Sequence, residues 1–206
     1  MIPTSLIHRL PKYLAHVQAL RKDGQKWVSS QKLARALGLT SSTVRQDLSH
    51  LDYSGTPKRG YETESLEKIL AEVLGSDISR GMLVVGAGNI GRAIVSHQDF
   101  YTRGFKILGI FDSDPALFGS KVGGLVVRSM DALPGVVRNR NIDIGVIAVP
   151  AAAAQKVADQ LVSAGVRGLL NLASTHIHTP ENVPVVEVRL IASLQELAYA
   201  IKMQDL

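Results

Sequence analysis

The chain has 206 residues, 46% hydrophobic and 20% charged, a balance that fits one or two globular domains. It holds no cysteine, which excludes disulfides, thiolate zinc sites and cysteine nucleophiles and agrees with a cytoplasmic protein. The net charge of +5 is unevenly spread: residues 1–62 carry ten basic and four acidic side chains, residues 81–206 eleven and ten. A basic first third on a near-neutral remainder is the pattern of a nucleic-acid-binding module joined to a second domain, although a solvated basic face gives the same count. No apolar run approaches the roughly 20 residues of a membrane helix. The opening MIPTSLIHRLPKYL reaches Arg9 and Lys12 after only a short mixed stretch, unlike a signal peptide.

The first third reads as three short helices and a basic hairpin. Leu6, Leu10, Leu14, Val17 and Leu20 lie near helical spacing, interrupted at Pro11, and Asp23-Gly24 marks a turn. A second helix starts at Ser29 or Ser30, buries Leu33, Ala34 and Leu37, and stops at Gly38. A third, capped by Thr40 or Ser41, turns Val44, Leu48 and Leu51 inward. The interval from Leu33 through Leu37-Gly38-Leu39 to Val44 and Leu48 is that of a helix-turn-helix, where two helices cross on a tight turn. The polar remainder of the third helix, Ser42, Thr43, Arg45, Gln46, Ser49 and His50, suits the major groove: Arg pairs with guanine and Gln with adenine. Ser54 to Tyr61 then places Lys58 and Arg59 between glycines, as the wing of a winged helix does. Three helices docking a protein would be the bland alternative. Leu66, Ile69, Leu70, Val73 and Leu74 read as a connecting helix before a boundary near residues 76–80.

The next segment carries a phosphate-binding pattern. Met82 to Val85 is a buried strand that runs into Gly86-Ala87-Gly88-Asn89-Ile90-Gly91 and then a helix, the context a GxGxxG needs. Gly86 permits the tight turn, Gly88 admits a pyrophosphate and Gly91 allows close packing, with the anion at the helix N-terminus. Strand Phe105–Phe111 ends in Asp112, 21 residues after Gly91, where an acid can accept from both ribose hydroxyls. Ser113-Asp114-Pro115 adds an acid and no arginine for a 2′-phosphate, favouring NAD(H) over NADP(H). Further strands are expected at 125–128, 142–149, 166–172 and 183–190, with a helix at 151–164, giving a doubly wound parallel sheet of six or seven strands. Val149-Pro150 and Asn171-Leu172-Ala173 fall at strand C-termini, facing the nicotinamide end of such a site. A final helix, Ile191 to Met203, has an apolar side (Leu194, Leu197, Ala198, Ile201) that must bury on its own domain or on a second subunit.

These motifs together resemble the Rex redox-sensing repressors. The resemblance rests on Val44-Arg45-Gln46-Asp47-Leu48-Ser49, the wing Gly55…Arg59-Gly60-Tyr61, the glycine turn 86–91, Phe111-Asp112-Ser113-Asp114-Pro115, Ala148-Val149-Pro150 and the closing helix. It spans essentially the whole chain in the same order. It implies a winged-helix DNA-binding domain at 1–78, a Rossmann NAD(H)-binding domain at 79–190 and a dimerisation helix at 191–206. It also implies a homodimer with exchanged terminal helices, a two-fold double-stranded operator, and release from DNA when NADH displaces NAD⁺. By the same resemblance Arg45 and Ser49 meet the major groove, Lys58, Arg59, Gly60 and Tyr61 form the wing, and Gly86, Gly88, Asn89, Ile90, Gly91 and Asp112 hold the dinucleotide.

Three departures stand out. Gln46 replaces a usual lysine, and Leu51-Asp52 a usual Phe-Gly. Ala15 and Arg189 occupy the positions of an arginine and an aspartate that members commonly pair, so that ion pair is absent. The rival readings are an NAD-dependent oxidoreductase with a helical accessory domain and a DNA-binding Rossmann protein without redox response. The first lacks a substrate domain. Tyr199 and Lys202 are one residue short of the Tyr-x-x-x-Lys spacing, and His176 and His178 have no carboxylate cluster to make them catalytic or metal-binding. A non-enzyme is therefore expected.

Overall fold

The structure, a computed structural model, describes residues 2–204. The chain forms two compact units, Met1–Ile78 and Ser79–Leu206.

The first unit contains α1 (Thr4–Ile7), α2 (Leu10–Lys22), β1 (Trp27–Val28), α3 (Ser30–Leu37), α4 (Ser41–Ser49), β2 (Tyr61–Glu62) and α5 (Thr63–Leu74). The expected break at Pro11 falls instead at His8–Arg9: Pro11 sits in the first turn of α2, where a missing N–H removes no helical bond. The Ser29 hydroxyl accepts from the Lys32 N–H (3.1 Å), Gly38 ends α3 at φ +66, and the Thr40 hydroxyl accepts from the Thr43 N–H (3.1 Å) to start α4. Leu33 and Ala34 of α3 and Val44 and Leu48 of α4 share one core with Leu10, Tyr13, Leu14 and Val17 of α2. The helix expected as a connector is part of that core. Leu66 and Leu70 of α5 are fully buried in it, because the four-residue spacing matches the face of α2.

The second unit is a sheet of seven strands: β3 (Arg80–Val85), β4 (Phe105–Asp112), β5 (Lys121–Val122), β6 (Leu125–Ser129), β7 (Ile142–Ile147), β8 (Gly168–Asn171) and β9 (Val185–Glu187). Their order is β5-β6-β4-β3-β7-β8-β9, all pairs parallel except β5 with β6. The helices are α6 (Asn89–Ser96), α7 (Asp99–Thr102), α8 (Leu133–Arg140), α9 (Ala151–Ser163) and α10 (Leu190–Lys202). Alternation in β3 separates the faces: Leu83 and Val85 pack with Leu133 of α8 and Ala154 and Leu161 of α9, Met82 and Val84 with Val95 of α6. The last strand is shorter than the sequence suggests, since Pro184 has no N–H to pair and α10 begins at Leu190.

Part of the face that carries α6 holds a groove. Ile144, Val146, Leu170 and Val186, with Phe100 and Phe105, line an apolar groove of about 380 Å³. No described residue of α10 is buried, and Leu190, Ile191, Leu194 and Leu197 are all more than half exposed. Among the described residues, no element of the second unit buries any part of this helix.

Candidate functional site

Of the six parallel strands taken in chain order, the first and fourth, β3 and β7, lie side by side in the middle of the sheet. Successive connections leave that point in opposite directions, and the strand ends open a crevice there. The glycine turn lies at the crevice. Gly86 has φ +105, and a Cβ on it would stand 2.3 Å from the Ala148 carbonyl oxygen on the neighbouring strand end. A Cβ on Gly91 would stand 1.8 Å from the Gly86 carbonyl oxygen. Gly88 differs: its φ of −75° suits any residue, and a Cβ there meets nothing within 4 Å. Gly86 and Gly91 are thus required by packing, whereas Gly88 keeps open the space before α6, whose N-terminus no side chain caps.

Asp112 holds this turn in place. Its Oδ2 accepts from the buried Ala87 N–H (2.6 Å) and its Oδ1 from the Asp114 N–H (2.9 Å), while Arg92 Nε donates to the Ala87 carbonyl (2.6 Å). Each carboxylate oxygen retains a lone pair for a further donor. A cavity of about 610 Å³ opens here, and of the residues singled out in the sequence Gly86, Gly88, Asp112, Val149 and Pro150 line it. Asp131 and Lys156 also line it, and no motif spacing ties them to the glycine turn; only the rule that ligands gather at strand C-termini points to them. Asn89 and Ile90 are exposed at the start of α6. Asn171 is buried and closes its own loop, accepting from the Ala173 N–H (3.0 Å) and donating to the Thr175 carbonyl (2.8 Å), and residues 171–173 do not line the cavity. A second hollow of about 730 Å³ lies at the opposite strand ends, where Arg80 (3.6 Å) and Arg167 (3.0 Å) both pair with Asp143.

His176 and His178 sit in the loop after β8 with their rings edge-to-face at 5.0 Å. His176 Nδ1 lies 2.9 Å from Glu187, and Arg189 grips the same carboxylate at 2.7 and 3.2 Å. The Arg189 guanidinium, with His176, holds the Glu187 carboxyl below its usual range. Among the described residues no group of three or more His, Cys, Asp or Glu could hold a metal ion.

In the first unit, α4 presents its polar face outward. Ser42, Arg45, Gln46 and Ser49 are exposed; Thr43 is half-buried, 2.8 Å from the Thr40 hydroxyl. Asp47, which the sequence offers as part of the α4 motif with no role of its own, is 3% exposed and accepts from Arg9 Nε (2.8 Å), Arg9 Nη2 (2.6 Å) and the Tyr13 hydroxyl (2.9 Å). The carboxylate raises the pKa of Arg9, while burial above all, then the bond to Asp47, raises that of Tyr13. Helix α4 is thereby bolted to α2 from its inner side. The wing is smaller than a two-stranded hairpin. The Thr56 carbonyl accepts from the N–H groups of Arg59 (3.1 Å) and Gly60 (2.9 Å), with Pro57 and Lys58 (φ +65) at the centre as in a type II turn. Gly60 (φ +89) rests on β1, 2.3 Å separating its would-be Cβ from the Val28 carbonyl oxygen. Lys58 and Arg59 point to solvent, but Tyr61 does not: it is 5% exposed, its ring tilted against Tyr53 at 5.9 Å, because the strand alternation that puts Glu62 outside puts Tyr61 in the core.

Comparison with known proteins places this geometry. A family profile described as "Putative DNA-binding protein N-terminus" matches residues 1–49, and one described as "CoA binding domain" matches residues 77–175. The chain is 41% identical over 201 residues to the redox-sensing transcriptional repressor Rex of Carboxydothermus hydrogenoformans, covering 98% of this chain and 97% of that one. The chain belongs to the Rex family. The Streptomyces coelicolor Rex is 40% identical over 96% of this chain and 77% of its own. Among solved structures, the Rex-family repressor RSP in complex with β-NAD⁺ and operator DNA superposes with a TM-score of 0.93 at 33% identity, covering 100% of this chain and 94% of that one. RSP in complex with β-NADH gives 0.90 at the same identity, covering 100% and 96%. Asp52, at φ +53, takes a left-handed conformation that an aspartate adopts more readily than most residues.

Proposed function

We propose that this Rex-family chain is a cytoplasmic, non-enzymatic transcriptional repressor that binds a two-fold operator as a homodimer and leaves it when NADH outcompetes NAD⁺. The observation that carries the reading is the pairing, in one chain, of an outward Arg45-Gln46-Ser49 face fixed from behind by Asp47 with an open cavity in front of Gly88. The cavity suits a dinucleotide. A pyrophosphate would lie against Gly88 and the first turn of α6, formed by Asn89 and Ile90, and the adenosine ribose against Asp112. Asp112, Asp114 and Asp131 all line the cavity and disfavour a 2′-phosphate, which supports NAD(H) over NADP(H). Val149 and Pro150 line the cavity beside the glycine turn. On the other unit Ser42, Thr43, Arg45, Gln46 and Ser49 read the major groove, with Lys58, Arg59 and Gly60 at the wing, and Tyr61 supports the wing from the core.

The homodimer reading is supported by α10, whose apolar side is exposed while an apolar groove on the sheet lacks a cover. Exchange of α10 between protomers buries both. Among the described residues no helix is long and apolar enough to cross a membrane. Redox sensing is then a population shift, no larger than the preference of NADH for the DNA-incompetent arrangement. Passing from nearly all bound to nearly all free takes about 5.5 kcal/mol of such preference. Selection of duplexes from a random pool, with no ligand, with NAD⁺ and with NADH, tests the proposal. A palindrome enriched in the first two and lost in the third supports it. Enrichment indifferent to both nucleotides refutes redox sensing, and no enrichment refutes DNA recognition.

A further inference from the structure

The wing arginine is not a free side chain. Its guanidinium carbon lies 5.6 Å from the ring centroid of Trp27, above the ring face. Trp27 is a poor candidate for a folding residue. It is 36% exposed, on the outward side of β1, while its neighbour Val28 is buried. Yet its backbone is firmly held. Trp27 pairs with Glu62 and Val28 with Tyr61, and the Thr63 N–H and hydroxyl donate to the carbonyls of Lys26 (3.0 Å) and Gln25 (2.7 Å). Gly60 rests directly on the Val28 carbonyl, so the root of the wing and the strand carrying the indole are one rigid piece. The wing tip is fixed by the Thr56–Gly60 bridge, but among the described residues the long Arg59 side chain makes no hydrogen bond or ion pair beside this contact.

We propose that Trp27 is a positioning residue for DNA binding: its indole face holds the Arg59 guanidinium, through a cation–π contact, in the orientation that meets the operator backbone or minor groove. The inference rests on the DNA-binding reading and deepens it. An unrestrained arginine loses rotamer freedom on binding, and a planar cation already stacked on an aromatic face loses less. A contact of this kind at an exposed site corresponds to roughly a two- to five-fold change in affinity for each wing. No charge is involved at Trp27 itself, so its loss leaves the salt dependence of binding alone.

The test is a double-mutant cycle on a duplex selected as above, with Trp27→Leu, Arg59→Ala and both together, followed by anisotropy of the labelled duplex. Thermal melting checks the fold, and Trp27→Phe serves as the conservative variant. Trp27→Leu should weaken binding two- to five-fold per wing at an unchanged salt slope. Trp27→Phe should restore most of the loss, and Trp27→Leu should cost nothing further once Arg59 is alanine. In the free protein, Arg59→Ala should alter the emission of this chain's single tryptophan. An equal cost of Trp27→Leu with and without Arg59, or none in either, overturns the positioning role while leaving DNA binding intact. Failure of the wild type to bind any selected duplex overturns the DNA reading itself, and the proposal with it.

Discussion

Replacing Asp47 should damage the first unit far more than its place on a polar helix suggests. Asp47→Ala removes a carboxylate, itself 3% exposed, that accepts two bonds from Arg9 and one from Tyr13. The Tyr13 side chain is fully buried, so its hydroxyl is left without an acceptor at a cost of about 1–3 kcal/mol. The Arg9 side chain is 30% exposed and its guanidinium can return to water, so the broken ion pair adds only about 1 kcal/mol after solvent screening. Together these come to about 3 kcal/mol, the lower end of what breaking a buried pair costs. Asp47→Asn keeps an acceptor for Tyr13 and should lose about half as much. Urea unfolding monitored by the fluorescence of Trp27, which lies in the same unit, reads this directly. A stability loss below about 0.5 kcal/mol for Asp47→Ala, the level of an ordinary surface change, would refute the anchoring role and leave α4 held by Val44 and Leu48 alone.

Other outcomes follow from the same geometry. Gly88→Val should melt like the wild type, since a Cβ there meets no protein atom, yet should lose NADH binding and NADH-driven release; Gly91→Ala, with 1.8 Å to the Gly86 carbonyl oxygen, should unfold the turn and lose thermal stability. Calorimetry beside a nucleotide titration separates the two. Arg45→Ala should reduce discrimination between matched and scrambled duplexes, each good bidentate base contact being worth about 1–3 kcal/mol, whereas Lys58→Ala should weaken both equally and lower the salt slope by about one for each wing. Because the Tyr13 pKa is raised in the folded state, its contribution to stability is complete below the unfolded value of 10.0 and falls as pH rises beyond it. Tyr13→Phe should flatten that alkaline decline, as read by denaturation at pH 9 and pH 11.

Much of the fold is legible in the sequence because local signals and tertiary packing agree there. Ser29, Gly38 and Thr40 punctuate the helix-turn-helix as their backbone chemistry dictates, and the strand into Gly86 opens a crevice at a point set by sheet order. What was hidden depends on contacts distant in sequence. Asp47 reads as one more polar residue on α4 until Arg9 and Tyr13, 38 and 34 positions earlier, fold onto it. Tyr61 looks like a wing residue by proximity to Lys58 and Arg59, but period-two alternation in a strand of two residues is too short a pattern to read. Leu66 and Leu70 fit equally a connector and a core helix, and only α2 decides between them. Arg189 has no sequence signal for its partner either, since Glu187 becomes its ligand through the end of β9.

If nucleotide and operator compete through one dimer, as proposed, linkage makes the competition measurable. The affinity for a selected palindromic duplex is titrated by anisotropy at fixed salt with and without saturating NADH, and the affinity for NADH is titrated with and without saturating duplex. NADH should weaken DNA binding by some factor, NAD⁺ should weaken it far less, and the duplex should weaken NADH binding by the same factor, as thermodynamic reciprocity requires. A DNA affinity that is unchanged by saturating NADH would contradict the account.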